Sequence, residues 1–306
     1  MRPSLGSVPT LLVLGGTGQV GFELRRSLAP LGRLVVPARH DVDMMQPEDL
    51  RRSIRSVRPE IIVCAAAYTG VDAAQAHRAE AYSVNAVAPA VIANEAAALG
   101  ALLIHYSSDY VFDGTKIAPY VEDDVVHPLS VYGESKAAGE SAIMEATARY
   151  LILRTSWVFG IHGSNFAKTI LQKARDGGSL RIVADQVGAP TPAALIADIT
   201  AHAIRAYWCG DLSESQFGIY HVASAGETSW HGYARDLLQM AVDRGMPTQI
   251  DPSDVVAVSS TDYSTVAMRP ANSRLDTSRI TQTFGLCMPE WRVGVAHMLD
   301  QLSVSW

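Results

Sequence analysis

Directly after an apolar run at 10–14, the chain reads Gly15-Gly16-Thr17-Gly18-Gln19-Val20-Gly21, and a helical pattern follows at 19–28. A strand that turns through closely spaced glycines into a helix is a strong constraint on the fold. The early glycines allow a tight turn and close approach of a pyrophosphate. The last lets the helix pack on the sheet with its N-terminus facing the phosphates. The alternative is an ordinary left-handed turn before a helix. The rest of the N-terminal half favours the nucleotide reading. Apolar runs at 33–36, 60–65, 101–106 and 150–153 read as strands buried on both faces. Helical stretches at 47–57, 78–98 and 131–146 separate them, the last with Ser130 as its N-cap. This alternation predicts a parallel, doubly wound sheet with right-handed crossovers.

After Trp157 the pattern loosens. Residues 165–175 and 193–208 read as helices and 218–223 as a further strand. Ser229 is a cap for a helix at 230–244, Asp276 or Thr277 for a short one ending before Gly285, and a last helix spans about 289–302. The expected fold class is α/β: a Rossmann-type doubly wound parallel sheet with a smaller C-terminal α/β substrate-binding lobe. Residues 1–160 make the dinucleotide-binding part, to which 193–223 returns, while 161–192 and 224–306 make the substrate-binding lobe. With 48% hydrophobic and 18% charged residues, 306 residues suffice for a large core. The balance of 25 basic against 31 acidic residues argues against a nucleic-acid partner. Cys64, Cys209 and Cys287 are far apart and odd in number, which suits a reducing, cytoplasmic setting. No apolar run approaches the roughly 20 residues that span a bilayer, so no membrane partner is expected.

The second strand ends at Val36-Pro37-Ala38-Arg39, with no carboxylate. An acid near this position binds the ribose 2′-hydroxyl of NAD, whereas an arginine accommodates the 2′-phosphate of NADP. Arg39 therefore predicts NADPH, with NADH as the alternative, because Asp41 and Asp43 follow closely; a solvated loop arginine is the other reading of Arg39. Beyond the third strand, Ala67, Tyr68 and Thr69 lie where a cofactor would cross the sheet edge. The decisive pair is Tyr132 and Lys136. Spaced i and i+4, they share one helix face. A nearby ammonium favours phenolate, so Lys136 is expected to lower the Tyr132 pKa, fitting it to protonate a carbonyl oxygen as hydride reaches the carbon. With eleven tyrosines and only four lysines in the chain, that spacing is seldom met by chance. Ser107 and Ser108 end the fourth strand, where a hydroxyl can bond the same carbonyl; they also suit an ordinary turn.

These motifs together resemble the extended, sugar-nucleotide short-chain dehydrogenase/reductases. Longer stretches, including His105-Tyr-Ser-Ser-Asp-Tyr-Val-Phe112, Arg154-Thr-Ser-Trp-Val-Phe159 and Arg269-Pro-Ala-Asn-Ser-Arg-Leu275, resemble the dTDP-4-dehydrorhamnose reductase family from the first strand nearly to the C-terminus. The resemblance implies NADPH-dependent reduction of the C4 ketone of dTDP-4-dehydro-L-rhamnose, a small-molecule sugar nucleotide. It implies Tyr132 as proton donor, Lys136 as its activator, and Ser108 in place of the usual threonine. Gly15, Gly18, Gln19 and Val20 would meet the pyrophosphate, Asp43 and Met44 the adenosine side, and Ala67, Tyr68 and Thr69 the nicotinamide side. Ser108, Asp109 and Trp157 would contact the sugar, although Trp157 also reads as a core aromatic. Arg269 and Arg274 are candidates for the diphosphate, or structural residues.

Some members are implied to dimerise around Mg²⁺ held by glutamates of both chains. Glu23 keeps one of these positions, but Ala194 and Arg292 stand at the other two. The expectation is therefore no magnesium requirement and a monomer or weak, metal-independent homodimer, with Arg292 a candidate partner for Glu23. Two other functions fit the same scaffold: a sugar-nucleotide epimerase or dehydratase, and a non-catalytic NADP-binding regulatory subunit. No second acid–base pair stands out near Ser108 for a dehydratase, and the intact Ser108, Tyr132 and Lys136 set speaks against a regulatory role. Nine histidines without metal-ligand spacing make a metal hydrolase the poorest reading.

Overall fold

A computed structural model of the chain describes residues 8–263 and 265–303. Five strands alternate with helices as the apolar runs require: β1 (Thr10–Leu14), β2 (Arg33–Val35), β3 (Ile61–Cys64), β4 (Leu102–Ser108) and β5 (Tyr150–Thr155). A sixth strand, Gly218–Val222, pairs with β5, and the six form one parallel sheet in the order 218–222, β5, β4, β3, β1, β2. The chain passes from β1 to β2 on one side and returns at β3 on the other, which opens a crevice at the carboxyl ends of β1 and β3.

Strand alternation sorts the side chains into two layers. Leu11 and Val13 join a core with Leu24 of α1 (Gln19–Ser27) and its C-cap residue Leu28, while Leu12 and Leu14 join another with Leu50 and Ile54 of α2 (Pro47–Val57). The crossover from β3 to β4 is not the single helix expected over 78–98. It comprises α3 (Val71–Ala76), α4 (Arg78–Tyr82), a π-helical turn at Ser83–Val87 and α5 (Ala88–Leu99). Next comes α6 (Val131–Ala146), capped by Ser130, whose Oγ accepts from the Gly133 amide at 3.3 Å.

Beyond β5 lie α7 (Phe166–Asp176), α8 (Ala193–Cys209), α9 (Trp230–Val242), α10 (Ser278–Phe284) and α11 (Trp291–Ser303). The Ser229 hydroxyl caps α9 through the Gly232 amide, and the Asp276 carboxylate accepts from the Ser278 amide at the start of α10. Helix α8 packs on α1 and belongs to the core of the large sheet. Helices α7, α9 and α11 enclose a separate core around Phe159, Leu171, Tyr233, Leu237, Trp291 and Leu299. A strand at Val256–Val258, paired with Arg181–Val183, was not legible as one in the sequence. Among the described residues, no helix is long and apolar enough to cross a membrane.

Candidate active site

The crevice at the β1 and β3 ends opens into a cleft of about 650 Å³. Every residue that the sequence assigns to the cofactor lies on its wall: Gly15, Gly18, Gln19 and Val20 after β1, Arg39, Asp43 and Met44 after β2, Ala67, Tyr68 and Thr69 after β3, Tyr132 and Lys136 on α6. Gly15 has φ +85°, and a Cβ there would lie 2.4 Å from the Ala66 amide nitrogen, so both conformation and space demand glycine. Gly18 differs. A Cβ there meets only the Gly15 carbonyl, at 3.5 Å. The protein itself leaves room at Gly18, so the missing side chain keeps the cleft side of the loop open, over the N-terminus of α1.

Tyr132 comes to the end of β4 because α6 starts tightly against the turn at Asp109–Val111. A Cβ on Gly133 would sit 2.1 Å from the Tyr110 carbonyl oxygen, and the Tyr132 ring meets Tyr110 edge-on at 5.4 Å. Burial pushes the Tyr132 phenol up to about 12, offset in part by hydrogen bonding with Ser108. This reverses the expectation that Lys136 would lower it. The Lys136 Nζ donates instead to the Tyr106 carbonyl at 2.5 Å and lies 3.2 Å from His105 Nε2, and burial lowers Lys136 itself to about 8. Tyr132 therefore holds its proton firmly at neutral pH.

Ser108 donates to Asp109 Oδ1 at 2.9 Å. Asp109 is 2% exposed, and burial raises it to about 6 despite hydrogen bonding with Ser273 and Ser108. One titratable carboxyl thus stands beside Ser108, where the sequence suggested no acid beyond Tyr132; Tyr110 follows it rather than a second acid. Trp157 takes φ +49°, a strained conformation for a bulky residue, and stacks on Trp230 at 3.6 Å over Gly188, where a Cβ would lie 2.7 Å from the indole. Arg269 Nη2 pairs with Asp72 Oδ2 at 2.7 Å, joining the 265–269 segment to α3. Arg274 is held within the chain. Its donors go to Asn272 at 2.9 Å, Glu227 at 2.8 Å and the Ile117 carbonyl. Within the chain, Arg292 bonds Asp236 at 2.8 Å through Nε, and Glu23 meets Arg26 at 3.3 Å.

Several supporting residues carried no sequence signal. Asn85, 1% exposed on the π-helical turn, accepts from the Tyr68 amide at 2.9 Å and donates to the Tyr68 carbonyl and the Ser135 hydroxyl, both at 3.0 Å. The 160–165 loop clasps the glycine loop: His162 Nε2 meets the Thr17 carbonyl at 2.8 Å, and Asn165 donates to Gln19 at 2.9 Å. Ser107, which the sequence offered beside Ser108 at the end of β4, and Thr155 line the cleft with hydroxyls that have no partner among the described residues.

A family model described as the RmlD substrate binding domain matches residues 9–304. The chain is 46% identical over 297 residues to a dTDP-4-dehydrorhamnose reductase of Escherichia coli K12, spanning 95% of this chain and 97% of that protein. This chain belongs to the dTDP-4-dehydrorhamnose reductase family. Another relative of that name, from Burkholderia thailandensis, is 45% identical over 298 residues, spanning 95% and 98% of the two chains. The crystal structure of a Bacillus anthracis dTDP-4-dehydrorhamnose reductase in complex with NADP superposes with a TM-score of 0.87 at 29% identity, over 96% of this chain and 100% of that one. The family thus shares both the sequence along its length and the sheet that builds the cleft.

Proposed function

We propose that this chain reduces the C4 ketone of dTDP-4-dehydro-L-rhamnose with NADPH, giving dTDP-L-rhamnose, the last step in making that activated sugar. The observation that carries the reading is that Tyr132 and Lys136 share the wall of one cleft with the glycine loop, with Ser108 in hydrogen-bonding reach of the Tyr132 hydroxyl. The cleft fits a dinucleotide: Gly18 leaves space at the α1 N-terminus, and Ser107 and Thr155 line it with hydroxyls that have no partner among the described residues. Gln19 and Val20 would hold the pyrophosphate, Arg39 the 2′-phosphate, and Lys136 the nicotinamide ribose. Bound there, NADPH supplies a hydride for the carbonyl carbon. Ser108 bonds the carbonyl oxygen, and Tyr132, still protonated at neutral pH, gives that oxygen its proton. Asp109 and Trp157 hold the sugar, and Arg269 lies on the side of the diphosphate. The enzyme works in the cytoplasm as a monomer or weak homodimer.

The test is to mix the protein with dTDP-4-dehydro-L-rhamnose and NADPH and follow the nicotinamide absorbance. Loss of the band with formation of dTDP-L-rhamnose is expected. Tight NADPH binding without turnover would point to a regulatory subunit, and turnover with resident NAD and no added NADPH to an epimerase or dehydratase.

A further inference from the structure

The Lys136 ammonium sits in a socket built by β4. Its Nζ donates to the Tyr106 carbonyl at 2.5 Å and lies 3.2 Å from Nε2 of His105, with Lys136 at 2% and His105 at 1% exposure. An ammonium carries three N–H donors and no acceptor. Two are taken by β4, and the third remains for the cleft that Lys136 lines. His105 Nε2 serves there as an acceptor, since a proton on it, in the neutral or the charged ring, would oppose N–H to N–H. Burial and the Lys136 charge both hold His105 neutral, well below the usual histidine range. Its proton is therefore assigned to Nδ1, which has no hydrogen-bond partner among the described residues.

A buried N–H without a partner is a cost to the fold. Leucine would occupy the same stretch of β4 without that cost, as Leu102 and Leu103 do. What histidine offers and leucine does not is Nε2. We propose that His105 is a positioning residue whose Nε2 accepts from Lys136 and, with the Tyr106 carbonyl, directs the remaining N–H of the ammonium into the cofactor cleft. This rests on the reading of Lys136 as part of the reductase site. The other titratable groups facing the ammonium are Cys64 on β3, Glu140 one turn along α6, and Tyr132. Burial raises the Cys64 thiol to about 11, so it stays neutral, and Glu140 is held by Arg154 through bonds of 2.9 and 2.6 Å. Without the His105 acceptor the ammonium loses support, and Lys136 falls further below its already lowered value of about 8.

The test is reduction kinetics against pH for the wild type, His105→Leu and His105→Gln, with folding followed by circular dichroism. His105→Leu is expected to lower kcat roughly ten- to a hundredfold, the worth of one hydrogen bond to a charged group, and to move the alkaline limb to lower pH. Glutamine can present Oε1 near the place of Nε2, so His105→Gln should restore both rate and limb. A His105→Leu loss of less than about tenfold, or a His105→Gln variant no better than His105→Leu with an unmoved limb, overturns the proposal. Should His105→Leu fail to fold, His105→Gln decides alone: a folded variant slowed by about tenfold or more overturns it, and a smaller loss with an unmoved limb supports it. Failure of the wild type to consume NADPH tells against the reductase reading instead. The Lys136 ammonium, one of only four lysines, is then titrated by NMR. A midpoint lowered by His105→Leu and not by His105→Gln supports the positioning role, and equal midpoints overturn it.

Discussion

At the scale of single residues, burial rather than pairing sets the chemistry of the site. Tyr132 keeps its proton because desolvation disfavours phenolate, which suits the proton donor proposed for this site. Tyr132→Phe keeps the ring against Tyr110 and removes that proton. Turnover should fall by about 10²–10⁴-fold, the usual contribution of a general acid, with NADPH affinity little changed. Steady-state kinetics beside cofactor titration checks this, and a variant retaining about half of wild-type activity rules out Tyr132 as the acid. Asp109 supplies a second test. It binds its proton more tightly folded than unfolded, so its contribution to stability is fully present below the unfolded value of 3.8 and is lost as pH climbs through about 6. The difference is worth on the order of 3 kcal/mol as an upper bound. Asp109→Asn retains an acceptor for Ser108 and cannot ionise. It should raise Tm at pH 8 and leave it nearly unchanged at pH 4, while lowering activity. Calorimetry at the two pH values decides; an equal change at both removes the ionisation account.

Among the elements, the π-helical turn between α4 and α5 does the least expected work. It turns Asn85 inward to clamp both backbone groups of Tyr68, so the segment after β3 is held from a helix that the sequence presents as continuous. Asn85→Leu leaves those groups without their side-chain partner, while the Ser135 hydroxyl keeps its bond to the Tyr132 carbonyl. The expected cost is about 2–4 kcal/mol in urea unfolding, with a raised KM for NADPH. A stability loss with KM unchanged would show that the clamp supports the fold and not the cleft. At the end of β2, Arg39 is exposed on the cleft wall. Arg39→Ala should raise KM for NADPH roughly ten- to a hundredfold and leave that for NADH nearly unchanged. Equal effects on both cofactors would make Arg39 scaffolding. These two elements differ in legibility. The end of β2 follows from an apolar run and one arginine, whereas a π-helical turn adds a residue to a helix without any change in the pattern of side-chain types.

Across the whole molecule, the segments after β5 are tied back to the nucleotide-binding half by Arg269 to Asp72, Asn165 to Gln19 and His162 to Thr17, the last two at the glycine turn that lines the cleft. Behind α6, the buried Arg154–Glu140 pair and the Arg154 bond to the Glu122 carbonyl at 3.2 Å join β5 to the 112–128 loop. The positions that the family resemblance links to a shared Mg²⁺ do not fit that ion here. They hold Glu23, already bonded to Arg26, the methyl group of Ala194, and Arg292, a cation bonded to Asp236. Mg²⁺ takes oxygen ligands in near-octahedral geometry, and a guanidinium in its shell repels it. We predict that activity and sedimentation are the same in EDTA and in millimolar Mg²⁺. A marked loss of activity on chelation, or a dimer seen only with the metal, would sink this.

The sequence by itself determined the parallel sheet and the residues that line the cleft at its edge. Buried parallel strands are runs of apolar residues, glycine turns have few backbone solutions, and the Tyr132–Lys136 spacing is local to one helix. It also located the caps at Ser130 and Ser229, because capping depends on neighbours in the chain. Tertiary structure alone decided the rest. The direction of the Lys136 ammonium, the raised Tyr132 and Asp109, and the partners of Arg269, Arg274 and Arg292 depend on which distant groups share a low-dielectric space. Residue types name the donors and charges a chain carries; only packing fixes which of them lose water and which find one another.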